Sequence, residues 1–155
     1  MSEDPRALLP GLLAEPEQFG QLLATADPAR VCRVPAPGQW SPAMVVAHLS
    51  ETEMSIGLRI RSALTQDEPL LSTFDPDAWA ALGAYDQRAL DHSLALWRLL
   101  REDNVKLLER LDDAQWQRAC IHPERGRMTV ADWARMLVRH DGIHRAQIDR
   151  ALAVP

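Results

Sequence analysis

An all-α four-helix bundle is the fold this sequence predicts, and three observations predict it. Leucine, alanine, arginine and glutamate recur at helical spacing over most of the chain. Valine, isoleucine and threonine never form the alternating runs that mark strands. Four helical segments are separated by stretches bearing proline and glycine, and the long connections among them suit an up-down-down-up-like order. The 155 residues form one expected domain over 1–155, long enough to bury a core without disulfides.

The first helix is expected to be broken, because Pro10-Gly11 and Pro16 interrupt its apolar pattern, leaving pieces over about residues 5–13 and 17–26. DPARVCRVPAPGQW follows and carries Pro28, Pro35, Pro37 and Gly38, which predicts a loop. The second helix starts cleanly. Ser41 suits the N-cap and Pro42 the first helical position, where its missing N–H costs nothing. It should run to about Leu64 with Val45, Leu49, Thr52, Ile56, Ile60 and Ala63 inward and His48 on the edge of that stripe.

Residues 66–84 predict a long connection with a short helix opening at Asp75-Pro76. The third helix is expected over about Asp86–Leu111, with Leu90, Leu94, Trp97, Leu100, Leu107 and Leu111 on one face. HPERGRM predicts a turn. In the fourth helix Thr129 caps and Asp132 completes a capping box, and the helix should reach about Leu152.

A net charge of −5 argues against nucleic acid, since phosphate neutralisation needs a dense basic surface. The arginines near the C-terminus alternate with Asp132, Asp141 and Asp149 and predict a solvated helix face. The acidic start MSEDPRALLP lacks the positive n-region and apolar run of a signal peptide, and no stretch approaches the roughly 20 apolar residues of a membrane span. A cytoplasmic protein without membrane contact is expected. Cys32 and Cys120 have no CxxC partner and predict packing or surface thiols.

On the fourth helix Val130, Trp133, Leu137, His140, His144, Ile148 and Ala151 share a narrow sector, which places two imidazoles in an apolar seam. Residues four apart on a helix have Cβ atoms roughly 6 Å apart, so both rings can reach one ion. Two core histidines satisfied by hydrogen bonds are the alternative, and His48 near the stripe of a facing helix is a third candidate ligand. His92 points away from its apolar stripe and His122 precedes Pro123 in a turn, so both are expected as surface or turn residues, outside the first choice of ligands.

PAPGQWSPAMVVAHLSETE (residues 35–53) and HPERGRMTVADWARMLVRHDGIHRAQI (residues 122–148) resemble the DinB/YfiT-like proteins. In these a Pro-Gly-x-Trp-Ser loop opens the second helix, a histidine follows, and an HxxxH pair lies on the last helix. The resemblance implies that His48, His140 and His144 hold one divalent metal ion, zinc or nickel; iron or manganese is the further expectation for such a donor set. It implies homodimers, and relatives that include transferases and isomerases using low-molecular-weight thiols.

Three neutral imidazoles would leave such an ion an open position for water or thiol, so a thiol S-transferase or a hydrolase acting on a small molecule is expected, in stress response or detoxification. A non-catalytic protein stabilised by its metal is the alternative. The nearest carboxylates for a general base are Glu51 and Asp141, and their helical angles predict surface salt bridges for both. Thr52 is a candidate partner of a ligand imidazole. Trp40, Trp79 and Tyr85 are candidates to line a substrate pocket.

Overall fold

A computed structural model describes residues 4–154; residues 1–3 and 155 of the expected single domain lie outside the described residues. Seven helices and one hairpin follow in order: α1 (Leu9–Ala24), α2 (Pro28–Cys32), α3 (Pro42–Thr65), α4 (Pro76–Leu82), α5 (Leu90–Leu108), α6 (Asp113–Trp116), β1 (Ala119–His122), β2 (Gly126–Thr129) and α7 (Val130–Ala153). The four long helices α1, α3, α5 and α7 make the bundle. Around it α1 neighbours α5 and α7, and α3 neighbours the same two, so the first two long helices lie diagonally and the connection between them crosses one end.

The predicted starts of α3 and α7 are explained by their caps. Ser41 Oγ accepts from Met44 N–H at 3.3 Å. Thr129 and Asp132 exchange the reciprocal bonds of a capping box, at 3.1 Å and 3.0 Å. Asp75 Oδ1 caps α4 by accepting from Asp77 N–H at 2.9 Å and Ala78 N–H at 3.3 Å.

Three expectations are corrected. The first helix is not broken: after a 3₁₀ turn over Pro5–Leu8, α1 runs unbroken with Pro16 inside it. Pro16 has no N–H to offer the Leu12 carbonyl, and that carbonyl instead accepts from Arg101 Nη1 at 2.8 Å. The loop before α3 contains the short helix α2, started by Pro28 behind the Asp27 cap. HPERGRM is not a bare turn, because it forms the end of β1 and most of β2, paired antiparallel from Ala119↔Thr129 to His122↔Gly126. Four-residue strands are too short to show alternation, and burial of Cys120 and Met128 against α7 holds them.

Two apolar clusters fill the bundle. One gathers Leu12, Ile56, Ile60, Trp116, Trp133 and Leu137, and the other Phe19, Val45, Leu49, Trp97 and Ile148. Each fully buried Leu or Ile contributes about 1.5–3 kcal/mol. Between the clusters runs a polar belt. On α3 it comprises His48, Thr52 and Glu53; on α5, Arg101 and Asn104; on α7, His140, Asp141 and His144.

Gly57 belongs to this belt. A Cβ there would stand 2.5 Å from Asn104 Oδ1, and Asn104 is buried and bonded to Glu53 Oε1 at 2.8 Å. Gly57→Ala gains about 1 kcal/mol of helix propensity. It costs about 1–3 kcal/mol in overpacking and a similar amount if Asn104 swings away. A lower urea midpoint is the expected result, checked by equilibrium unfolding.

Candidate metal centre

The belt carries the chemistry on one side. Helix α3 presents His48, and α7 presents His140 and His144 one turn apart, because four residues bring side chains back to the same face. His140 Nε2 lies 3.2 Å from His48 Nε2 and 3.1 Å from His144 Nε2. All three donor atoms fall within 4.8 Å of one another. Two imidazole nitrogens on one tetrahedral ion stand about 3.3 Å apart, given metal–nitrogen bonds of 2.0–2.1 Å. The spacing fits.

The protons give a second test of fit. Gln147 Oε1 accepts from His144 Nδ1 at 2.8 Å, so His144 directs a bare lone pair from Nε2 toward the other two rings. Burial, reinforced by His144, holds the His48 imidazole down to about 3. Burial, then His144, His48 and Arg101, brings His140 to about 3 as well, and burial lowers His144 although Gln147 opposes it. His140 Nδ1 is buried without a hydrogen-bond partner, and the neutral imidazole that burial favours is the form in which histidine ligates a metal. The donor set fits a divalent ion.

These shifts predict acid lability of the metal-free protein. An unfolded histidine titrates near 6.5 and the folded ones lower, so below about 6.5 the unfolded chain binds more protons and stability falls with pH until about 3. Asp141 works the other way: burial, opposed by Arg101, raises it to about 6, so it favours the folded state as it protonates. Three histidines outweigh one aspartate, and a net loss is expected on acidification. Melting temperatures of chelator-treated protein between pH 7 and 4 check this.

The triad sits in the wall of a cavity of about 690 Å³, within the usual range for small-molecule sites. Of the aromatic candidates, Trp40 lines it and packs on the His48 ring at 4.9 Å. Tyr85 is buried one layer behind, edge-on to Trp40, and donates to Glu51 Oε2 at 2.6 Å. Trp79 is stacked on Phe74 at 4.2 Å, and it is Phe74 that faces the cavity. Thr52 Oγ1 stands 3.3 Å from His48 Nε2 and faces the cavity.

The two base candidates lie elsewhere. Glu51 is half-buried, clasped by Tyr85 and by Arg88 Nη2 at 2.7 Å, and is not in the cavity wall. Asp141 was expected at the surface and is 1% exposed, a correction with a clear cause. Its Oδ2 lies 2.9 Å from Arg101 Nη1, while Arg101 Nε donates to Glu53 Oε2 at 2.7 Å. One guanidinium thus serves two buried carboxylates from the interior of the bundle. Burial lowers the Arg101 pKa, but Glu53 and Asp141 outweigh it and the net shift is upward.

His122 is a further correction. It is buried at the end of β1 and lines the cavity, whereas His92 is exposed. Arg59, Glu53, Arg101 and Asn104 are buried polar residues that the sequence expectations did not include. For Glu53 and Asn104 the signal was a polar residue in phase with an apolar stripe, one turn from Leu49 and from Leu108 respectively.

Four long helices around an interior three-histidine cluster define a helical bundle with a candidate metal centre. Residues 12–148 match the DinB superfamily, and the chain belongs to that family. It is 37% identical over 114 residues to a candidate metal-dependent hydrolase from Bacillus licheniformis, covering 72% of this chain and 64% of that relative's length. The solved structure of YfiT from Bacillus subtilis, described as a candidate metal-dependent hydrolase with an unusual four-helix bundle topology, superposes with a TM-score of 0.89 at 25% identity. That match covers 97% of this chain and 87% of YfiT. A mycothiol-dependent maleylpyruvate isomerase shares the fold, with a TM-score of 0.73 at 13% identity over 97% of this chain and 61% of its own. Among the described residues no helix is long and apolar enough to cross a membrane.

Proposed function

We propose that the protein is a metal-dependent hydrolase of a small molecule, with His48, His140 and His144 as ligands of one zinc or nickel ion. The observation that carries this reading is the convergence of three Nε2 atoms in the wall of a cavity of substrate size. When bound, a divalent ion with three imidazole ligands supplies Lewis acidity and lowers the pKa of a coordinated water from 15.7 toward about 7.

The chain's own residues supply the rest. Gln147 holds the His144 proton at Nδ1 and so keeps Nε2 available. Thr52 places a hydroxyl beside His48 Nε2, within reach of a group in the fourth position. Trp40 shields the His48 ring, and Glu51 is a positioning residue that holds Tyr85 behind Trp40. Glu51 and Asp141 are both engaged in ion pairs, with Arg88 and Arg101, and neither is assigned as a general base. The names of the relatives favour hydrolysis. Transfer of a low-molecular-weight thiol is the second reading, favoured by an open position that a thiolate also fits.

Metal-loaded protein is expected to hydrolyse members of an ester and amide panel. Activity should disappear with a chelator and return with zinc or nickel. Turnover unaffected by the chelator contradicts the proposal, and turnover only with an added thiol selects the second reading. Gln147→Leu should weaken the metal by about 10–100-fold, measured by competition with a chromophoric chelator.

A further inference from the structure

We propose that the cavity end formed by Arg59 and His122 is an anion subsite, and that the substrate carries a carboxylate as well as the group that reacts at the triad. The inference rests on the hydrolase reading and names the substrate class of that site.

Arg59 follows His48 on α3 by eleven residues, about three turns, and so returns to nearly the same face, roughly 16 Å farther along the axis. An arginine on a helix leans back toward the N-terminus, which here is the direction of the triad. Both Arg59 and His48 line the one cavity. The Arg59 side chain is buried, with only 9% of the residue exposed.

Its guanidinium carbon lies 5.1 Å from the Trp133 ring centre and 5.5 Å from that of Phe74. Stacking of this kind fixes the plane and leaves the N–H edge free to donate in that plane. Nη2 donates to the Ser72 carbonyl at 3.3 Å. Among the described residues no carboxylate pairs with Arg59. The contrast with Arg101 is direct, since that guanidinium, likewise buried, has two acids.

A buried cation without a counter-ion is costly, and burial does lower the Arg59 pKa. His122 sits beside it, its ring 6.1 Å from that of Trp133. His122 Nδ1 accepts from Glu124 N–H at 3.2 Å, which leaves the ring proton on Nε2 as a donor. Arg125 at the rim adds positive charge, and the rim acids Asp77 and Glu124 are exposed and do not reach Arg59. A carboxylate entering this end gives Arg59 the charge-assisted partner that the protein itself does not supply.

Succinic, adipic and suberic acid monohydroxamates, each against the alkyl hydroxamate of the same chain length, test the inference on zinc-loaded protein by calorimetry. At the best-fitting length the carboxylate compound should bind at least about tenfold more tightly than its neutral twin. In Arg59→Gln that preference should fall to within about twofold while the neutral twin binds as before, which shows that the variant is folded. Arg59→Lys should keep part of it. His144→Ala should weaken both compounds and retain the preference; if it weakens neither, the metal reading fails and the anion subsite stands. Equal binding of the two compounds at every length, binding of neither, or an unchanged preference in Arg59→Gln overturns the inference.

Discussion

Replacing His140 by alanine is expected to raise the dissociation constant for zinc by more than about a hundredfold and to abolish metal-dependent turnover. His140 Nε2 lies within 3.2 Å of both other donor nitrogens, so its loss removes the shared vertex of the site. Loss of a hydrogen-bond partner behind a ligand already costs about 10–100-fold in affinity, and loss of a ligand should exceed that. Zinc at 100 times its dissociation constant stabilises the wild type by about 2.7 kcal/mol. In a chain of this size that is a rise of about 5–10 °C in melting temperature. The variant should show almost none of it.

Its metal-free form should fold normally and lose less stability in acid than the wild type. One imidazole held down to about 3 by burial and its neighbours has been removed. Differential scanning fluorimetry with and without zinc, at neutral and acidic pH, separates loss of metal from loss of fold. An undiminished zinc-induced rise in the variant would show that His140 is no ligand.

Arg101→Met is expected to be the most destabilising substitution outside the triad, by about 3–5 kcal/mol. The change leaves Glu53, which is fully buried, and Asp141 as carboxylates without a cation, and leaves the Leu12 carbonyl without its donor. The cost lies in the uncompensated charges, because replacing a whole buried ion group by apolar residues is often neutral. Arg101→Met together with Glu53→Gln and Asp141→Asn should therefore recover much of the loss. The single variant should melt about 6–20 °C below the wild type. A deficit below about 2 °C would show that the belt contributes nothing to stability.

The parts of this molecule legible in sequence are those with local causes. The caps at Ser41, Asp75 and Thr129 each act within three residues, and the α7 stripe that carries His140 and His144 repeats every turn. The third helix shows the opposite case. Its leucines suggested one inward face, yet Leu90, Leu94, Leu100 and Leu107 of that face are only half-buried while Arg101 is 1% exposed, because the helix turns its arginine toward acids on α3 and α7. Pairing partners 48 and 40 residues away leave no periodic trace in the chain.

Pro16 misled for a related reason: its usual cost is offset by a donor 85 residues later. His122 and Arg59 gain their place from the hairpin and from the Trp133 ring, neither of which has a local signature.

Three imidazoles from α3 and α7 are expected to hold one divalent ion and leave it a ligand position toward the cavity. X-ray absorption at the zinc edge of the loaded protein reports that ligand set. A first shell of three imidazole nitrogens at about 2.0–2.1 Å with at least one further oxygen or sulfur ligand is the predicted result, changing in His48→Ala to two imidazoles. A shell of oxygen ligands alone, or one unaltered in His48→Ala, would contradict it.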